Sequence, residues 1–513
     1  MNSISKSLRI VTILLVITAI FRLWTLMMIH TGIDERDYWY SAKSLSQGLE
    51  YPYINHRTIR WSVIIPVAAA QIVTGVHPNA YYVLPFLNAM AQTAILFMLA
   101  KRLFDRKTAV LACLFMIFFP YQIRAASQIR PEIFSITYIL TMLWFFSLYW
   151  DAKEQETNRR WLVLSSIMLY IAYHAKITNL FFFPGMIVLI LIHAKESRKK
   201  MLADSALFGG ICLGAFLIET FIYGIVAGFP LGHLQIISAN HLEGMRSLGS
   251  WTEIFNRYRS PYLQAYWQIP FILFAALSAD ALANRRHRLL PLIIVPALSF
   301  FLFITVAVSG IHPLKMAEPF INRYFSAVLP YVFIVISWYL GRALEAIRIR
   351  TRLRRQSILG VFYAVSCIGT VSFSVFFSLP IVPKALRAYI TSPFTSNHPF
   401  SLNQRYRQTI NDAWDSGIPI IGTSDHAGIN ALETAAWYYL DIDRYDGKRA
   451  PGPIPLSIGQ SKGGFVSLGG RDPGTRPVFV NVIRKPFRMA IVQTELLPEI
   501  SGETFPRNTK EVK

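Results

Sequence analysis

Ile10-Val-Thr-Ile-Leu-Leu-Val-Ile-Thr-Ala-Ile-Phe-Arg-Leu-Trp-Thr-Leu-Met-Met-Ile29, followed closely by Gly32-Ile-Asp-Glu-Arg-Asp-Tyr-Trp39, is the stretch that decides the fold class. The first part holds one charge, Arg22, in a run as long as the roughly 20 residues needed to cross a ~30 Å hydrocarbon core. A secretory leader would be shorter, would end in a small-residue cleavage site and would not be followed by further apolar segments. The segment is therefore expected to stay as a first membrane helix. Just past its end stand four consecutive charged residues, Asp34, Glu35, Arg36 and Asp37.

Working outward, the chain has 513 residues, of which 53% are hydrophobic, 14% aromatic and only 16% charged. With a mean hydropathy of +0.38, this exceeds what a soluble chain of the same size carries. The formal net charge of +22 does not point to nucleic acid, because Lys and Arg gather in short clusters between apolar segments, as the positive-inside rule requires. Cys113, Cys212 and Cys367 all lie inside apolar segments, which leaves neither a disulfide framework nor a cysteine-based zinc site.

About eleven segments are long and apolar enough to span: 10–29, 79–100, 108–124, 133–150, 161–175, 178–194, 202–228, 262–283, 289–309, 323–341 and 357–380. The basic clusters fall in every second connection: Lys6 and Arg9; Lys101, Arg102, Arg106 and Lys107; Lys153, Arg159 and Arg160; Lys195, Arg198, Lys199 and Lys200; Arg285, Arg286 and Arg288; and Arg342 through Arg355. That alternation closes if 58–75, which contains Pro66 and begins beside Arg57 and Arg60, lies on the outer interface as a helix; the alternative is a short twelfth span. The amino terminus is then cytoplasmic and everything after Pro380 external. Gly210 and Gly214 form a GxxxG expected to allow close helix packing.

Residues 381–513 change character, with Gly, Pro, Asp and Asn between short apolar runs. Pro419–Thr423, 464–468 and 476–482 read as strands and Ala427–Tyr439 as a helix. The fold expected is an all-α polytopic membrane protein in 1–380, with about eleven transmembrane helices and an interfacial helix, followed by a small extracytoplasmic α/β domain in 381–513. The chain has no Asn-x-Ser/Thr sequon, which fits a bacterial plasma membrane.

Sorted by side, the external loops and helix ends carry Asp34, Glu35, Arg36, Asp37, Arg57, Arg60, Arg124, Arg130, Glu132, Lys176, His233, His241, Glu243, Lys315, Glu318 and Arg323. External cations run against the positive-inside trend, so each needs a local partner, either an acid or a lipid phosphate. Carboxylates and cations converging at headgroup level suit a phosphorylated lipid and reaction at its first sugar. Walker A, HExxH and CxxC patterns are absent, as is a GxGxxG after a strand, and Gly463-Gly464 and Gly469-Gly470 read as turns. A transporter or flippase is the other class compatible with a polytopic, charge-lined chain, although such proteins commonly carry repeats and midplane charges.

Asp34-Glu35-x-x-Tyr38 after the first span, with Ala42 and the Gly48 turn, resembles the opening of the GT-C integral-membrane glycosyltransferases. The particular group is the bacterial one similar to protein O-mannosyltransferases and lipid A aminoarabinose transferases, glycosyltransferase family 39-like. The similarity continues through the interface segment 61–75, Leu84-Pro-Phe-Leu-Asn88, Lys101-Arg-Leu-Phe104 with Ala109, Arg130-Pro-Glu132, Ala175-Lys176 and Asn322-Arg-Tyr324. His56-Arg-Thr-Ile-Arg60 departs from the group's frequent Pro-Pro and resembles instead the lipid-linked mannosyltransferases, another GT-C branch.

The resemblance implies an enzyme, a polyprenyl-phosphate-sugar-dependent glycosyltransferase that moves a hexosyl or pentosyl unit to an acceptor hydroxyl or amine (glycan, lipid or protein) with inversion. Asp34 is the expected general base. Glu35 either orients the acceptor or is a solvated interface carboxylate; Glu132 either positions the acceptor or pairs with Arg130. Tyr38, Arg57, Arg60, Arg130, Lys176, Arg323 and Tyr324 complete the expected substrate site, with Lys176, Arg323 and Arg57 or Arg60 holding the departing phosphate. No metal ligands or cofactor are read from the sequence, though a divalent metal is compatible with the superfamily. Arg22 and Glu219, charges inside apolar segments, are expected to snorkel or to pair with each other, and His233 and His241 to be solvated. The expected partners are the lipid-linked donor, membrane lipids and the acceptor, without nucleic acid.

Overall fold

The computed structural model describes residues 3–29, 33–49, 51, 54–151, 155–193, 197–229, 231–241, 265–306, 308–311, 314–316 and 322–351, and, further on, 398–404, 407–408, 420–422, 438, 465–468 and 489–492. The described chain is mostly helical. Its helices are α1 (Ser3–Trp24), α2 (Ile33–Gln47), α3 (Trp61–Thr74), α4 (Val83–Leu103), α5 (Arg106–Phe118), α6 (Pro120–Ala125), α7 (Pro131–Asp151), α8 (Gln155–Ala175), α9 (Phe183–His193), α10 (Arg198–Ala227), α11 (Gly232–His241), α12 (Ala265–Ala283), α13 (Leu290–Val306) and α14 (Leu329–Thr351). Short 3-10 turns, Pro78–Tyr82, Ile177–Phe182 and Asn322–Val328, lead into α4, α9 and α14.

Among the described residues five helical stretches are long and apolar enough to cross a membrane: Ser5–Trp24, Pro78–Leu103, Pro131–Asp151, Arg198–Val226 and Arg323–Glu345. Ten of the eleven segments expected to span coincide with helices, and 357–380 lies outside the described residues. Two are interrupted. Pro120 has no N–H and pushes Phe119 to extended backbone (φ −65°, ψ 126°), which ends α5 and restarts the chain as α6. The ninth stops at Val306, and the chain turns into a hairpin of β1 (Val308–Ile311) and β2 (Leu314–Met316). The segment expected on the interface is α3, whose 14 residues make only about 21 Å of helix, short of a crossing; it packs on α2 and α8.

Local chemistry sets several helix ends. Asp105 caps α5 by accepting from the Thr108 N–H at 2.8 Å, and Ser197 caps α10 by accepting from the Lys200 N–H at 3.3 Å, each satisfying an orphan donor of the first turn. On the side of the basic clusters, Asp151 pairs with Arg102 at 3.0 Å, and Asp280 with Arg286 at 3.0 Å.

The core runs through α4, α5, α7, α13 and α14, with α7 packed along α8 and α5 held between α4 and α14. Phe115 stacks on Phe333, and Phe182 on both Tyr331 and Phe300. The expected close packing at Gly210 and Gly214 is not found: a Cβ at either would meet nothing within 4 Å. Close approach occurs instead at Gly185 in α9, whose N–H donates to Ser299 Oγ at 3.1 Å.

Beyond Thr351, β3 (Ile420–Gly422), β4 (Phe465–Leu468) and β5 (Met489–Val492) form a three-stranded sheet, with β3 parallel and β5 antiparallel to the central β4. The first two match expected strands; β5 was not anticipated; 476–482, and all of 427–439 except Tyr438, lie outside the described residues. Some of this part rests on the helical core. His398 Nε2 lies 2.9 Å from the Leu23 carbonyl oxygen, the Asn403 amide donates to Tyr82 Oη at 3.2 Å, and the Tyr438 ring packs against Trp39 and Tyr81.

A Cβ at Gly185 would sit 2.7 Å from Pro296 Cα and 2.8 Å from Ser299 Cβ, so α9 and α13 must part to admit it. Gly185→Ala is expected to destabilise the helical core by about 1–3 kcal/mol, seen as a lower unfolding temperature in detergent. Gly210→Ala, in open space, is expected to leave that temperature unchanged.

Candidate active site

The acidic run forms the first turn of α2, where the helix dipole favours negative charge. With 3.6 residues per turn, Asp34, Asp37 and Tyr38 share one face while Glu35 lies about 100° round the helix. The two faces meet different partners. Arg57 reaches Asp34 Oδ1 through Nε at 2.6 Å and Asp37 Oδ2 through Nη1 at 3.0 Å. Arg323, in the turn before α14, donates from Nη1 to Asp34 Oδ2 at 3.2 Å. Glu35 accepts from Arg130 Nε in a short, buried ion pair.

The loop carrying Arg57 and Arg60 is held by its own turn chemistry. Asn55 Oδ1 accepts from the N–H groups of Arg57 and Thr58 at 2.6 and 3.1 Å, an Asx-type turn. Arg60 Nε donates to the His56 carbonyl at 3.2 Å, and its guanidinium lies 5.6 Å from the centre of the Tyr38 ring. Trp61 then anchors the start of α3 by donating from Nε1 to Tyr223 Oη at 2.6 Å.

Lys176 stands in extended backbone between α8 and its following 3-10 turn. Its ammonium donates to Glu132 Oε1 at 2.9 Å and to the Arg323 carbonyl at 3.0 Å, and lies 4.6 Å from the centre of the Tyr324 ring. Arg323 lies 5.8 Å from the same ring. Glu132 is in the first turn of α7, directly after Pro131, a residue suited to a helix start. All ten sequence-derived site residues, Asp34, Glu35, Tyr38, Arg57, Arg60, Arg130, Glu132, Lys176, Arg323 and Tyr324, thus fall in one contiguous region built by α2, the 54–60 loop, the start of α7, the end of α8 and the 322–328 turn.

Exposure divides the acids. The Asp34 side chain is 30% exposed and Arg323 31%, whereas Glu35 and Glu132 are each 3% exposed. Of these three carboxylates Asp34 is the one open to solvent. The reading of Glu35 as a solvated carboxylate is overturned by its burial against Arg130, and Glu132 has Lys176 rather than Arg130 as its direct partner. Burial lowers the Lys176 ammonium to about 8; Glu132 opposes that shift and Arg323 adds to it. Burial likewise raises Asp37 above the usual carboxylate range, against the pull of Arg57. Two buried oxygens here, Tyr38 Oη and Glu132 Oε2, have no hydrogen-bond partner among the described residues.

Sequence reasoning placed Asp37 outside but did not assign it to the site; its i, i+3 spacing from Asp34 was the available signal. Tyr121, buried on α6 within electrostatic reach of Glu132, Arg130 and Arg323, had no such signal. The expected Arg22–Glu219 pair is also absent. Arg22 is buried, with Nε and Nη1 unpartnered among the described residues, and Glu219 meets two histidines. Glu219 Oε2 lies 3.2 Å from His174 Nε2, and Oε1 lies 3.2 Å from His233 Nδ1. His233, expected in solvent, is buried, and burial lowers its imidazole below the ordinary value. His174, Glu219 and His233 are the described group whose ligand atoms gather closely enough to hold a metal ion; His241's side chain lies outside the described residues.

Residues 65–223 match the family profile described as dolichyl-phosphate-mannose-protein mannosyltransferase. No curated protein sequence matches the chain. Among solved structures, ArnT from Cupriavidus metallidurans bound to undecaprenyl phosphate is similar with a TM-score of 0.53 and 14% identity, over 95% of this chain and 97% of that one. The archaeal oligosaccharyltransferase AglB from Archaeoglobus fulgidus, in complex with an inhibitory peptide and a dolichol-phosphate, is similar with a TM-score of 0.51 and 11% identity, over 84% of this chain and 64% of that one. Residues 65–223 thus resemble that mannosyltransferase family, and the fold of the chain is similar to those of ArnT and AglB.

Proposed function

We propose that the protein transfers a sugar from a polyprenyl-phosphate-linked donor to an acceptor hydroxyl or amine at the outer face of the membrane. The observation that carries this reading is the junction at Asp34: one partly open carboxylate gripped on its two oxygens by Arg57 and Arg323, with Lys176 next to Arg323. A reaction that separates a sugar from a phosphate needs a base on one side of the anomeric carbon and fixed positive charge on the other. Similarity to enzymes solved with undecaprenyl phosphate and with dolichol-phosphate supports a lipid-linked donor of this class.

In this reading Asp34 takes the proton of the acceptor as the acceptor oxygen or nitrogen attacks the anomeric carbon. The bond from that carbon to the phosphate oxygen breaks with its electrons on the phosphate, and the centre inverts. Arg57 and Arg323 are adjacent to the base and, with Lys176, offset the charge left on the departing lipid phosphate; the planar guanidinium of Arg323 suits a two-point contact. Arg60 and the fully buried Tyr38 back the region, and the partly buried Tyr324 is the aromatic surface for the sugar. Glu35 and Arg130 act by fixing the start of α2 against that of α7. Glu132 holds the Lys176 ammonium in place from a buried position. The clustering of these charges at helix ends and in turns, not at midplane, favours transfer over transport.

The topology proposed is eleven crossings with the amino terminus cytoplasmic, α3 on the outer interface, a transmembrane domain of residues 1–380 and an extracytoplasmic α/β domain of 381–513.

Replacing Asp34 with Asn is expected to lower transfer from a polyprenyl-phosphate sugar by about 10²- to 10⁴-fold while donor binding persists; a variant with normal turnover removes Asp34 as the base. The lowered Lys176 value gives a pH test. The ammonium is charged below about 8 and lost above it, so kcat/KM for the donor is expected to fall on the alkaline side of pH 8. Lys176→Arg keeps its charge and is expected to move that limb upward; a wild-type profile flat to pH 10 assigns the phosphate charge elsewhere. In inverted and right-side-out vesicles, a protease is expected to remove 381–513 only from the external side.

A further inference from the structure

The group formed by His174, Glu219 and His233 is not used in the transfer chemistry proposed above. The three residues come from three helices: His174 is next to the end of α8, Glu219 lies within α10 and His233 opens α11. All three are buried, and one ligand atom from each lies within 4.8 Å of the others. A carboxylate inside an apolar helix is costly unless a cation meets it. Glu219 Oε1 and His233 Nδ1 approach to 3.2 Å without hydrogen-bond geometry. Two buried electron-pair donors side by side are the arrangement that a bound cation resolves.

We propose that His174, Glu219 and His233 bind one divalent transition-metal ion of the zinc type, which clips α8, α10 and α11 together. Two imidazole nitrogens and one carboxylate oxygen suit zinc, whereas magnesium and calcium take oxygen donors. In a tetrahedral site with bonds of about 2.0–2.2 Å, neighbouring ligand atoms lie roughly 3.3–3.5 Å apart. The two carboxylate–imidazole contacts, 3.2 Å each, are close to that edge length but are made by different oxygens of Glu219, so rotation of the carboxylate to bring one oxygen between the two imidazoles completes the set. Tyr170 Oη, 2.9 Å from Glu219 Oε2 and 3.0 Å from His174 Nε2, is placed as the outer-shell hydroxyl that orients the carboxylate. A water molecule completes the fourth position. The proposal is independent of the sugar-transfer reading, because none of the three ligands belongs to the Asp34 and Glu132 cluster.

The test uses the full-length chain purified in detergent without chelator, equilibrated with zinc chloride and dialysed, with metal content measured by mass spectrometry. About one equivalent of zinc per chain is expected in the wild type, and roughly a tenth of that or less in His174→Ala, Glu219→Gln and His233→Ala. Tyr170→Phe is expected to weaken binding about 10- to 100-fold, and Asp34→Asn to retain full zinc. Cobalt(II) substitution is expected to give the intense visible bands of a tetrahedral site, absent from His233→Ala. As a control for folding, EDTA is expected to lower the unfolding temperature of the wild type to that of a monodisperse His233→Ala variant. Zinc-free wild-type protein, zinc retained in a His174→Ala/His233→Ala double variant, or zinc lost from Asp34→Asn in place of the histidine variants each overturns the site.

Discussion

A charged side chain taken out of water at the edge of a membrane must find its opposite, and the arrangement around Asp34 follows from that constraint. Breaking a buried ion pair by removing one partner costs about 3–5 kcal/mol, more than a single helix contact can offset. Asp34 ties the loop before α3 to the turn before α14, whose Arg323 is 289 positions from Asp34 in sequence. Glu35 ties the same helix end to the start of α7, and Glu132 ties α7 to the end of α8. The positions of five separate segments are therefore linked by charge pairing.

The pairing is graded by depth. Glu35–Arg130 and Glu132–Lys176 are closed to solvent and serve as fixed joints, whereas the Asp34 junction with Arg57 and Arg323 is partly open. Exposed ion pairs are weak, so the open junction is the one that can rearrange. Rigid pairs beneath a responsive one suit a site that must bind an anion without losing its shape. The aromatic rings of Tyr38 and Tyr324 beside Arg60, Lys176 and Arg323 add attraction to the cations without adding charge.

Much of this was legible in the sequence because hydropathy and Lys/Arg placement are local signals. The helices carrying the site and the short α3 follow from segment length and hydropathy. The partner of each charge was less accessible. Glu132 has Arg130 as its nearest cation in sequence, two residues away, but at the first turn of α7 its carboxylate meets Lys176, 44 residues away. The break at Phe119–Pro120 was present in the proline but masked by the apolar run around it. Gly210 and Gly214 carry a packing motif with no neighbour across it, since α10 turns that surface outward. The histidine–carboxylate group escaped for the same reason as the Glu132 partner: its members are 45 and 14 residues apart in sequence, on three helices, and share no linear spacing that marks a ligand set.

The end of α8 joins the two polar regions. His174 and Lys176 are two residues apart, about 200° round a helix, so one side chain can face α10 and α11 while the other reaches α7 and the 322–328 turn. The Lys176 N–H still donates to the Ala172 carbonyl at 3.0 Å, the last helical bond before the backbone extends. Asn179 adds a brace by donating to Ala172 O and Ser135 Oγ, which holds the turn after Lys176 against α7. Whatever fixes His174 therefore limits the freedom of Lys176, and a cation held by His174, Glu219 and His233 would act on the Lys176 ammonium through two residues of backbone. Such an ion would tune the site by position alone, with no contact to the reacting sugar.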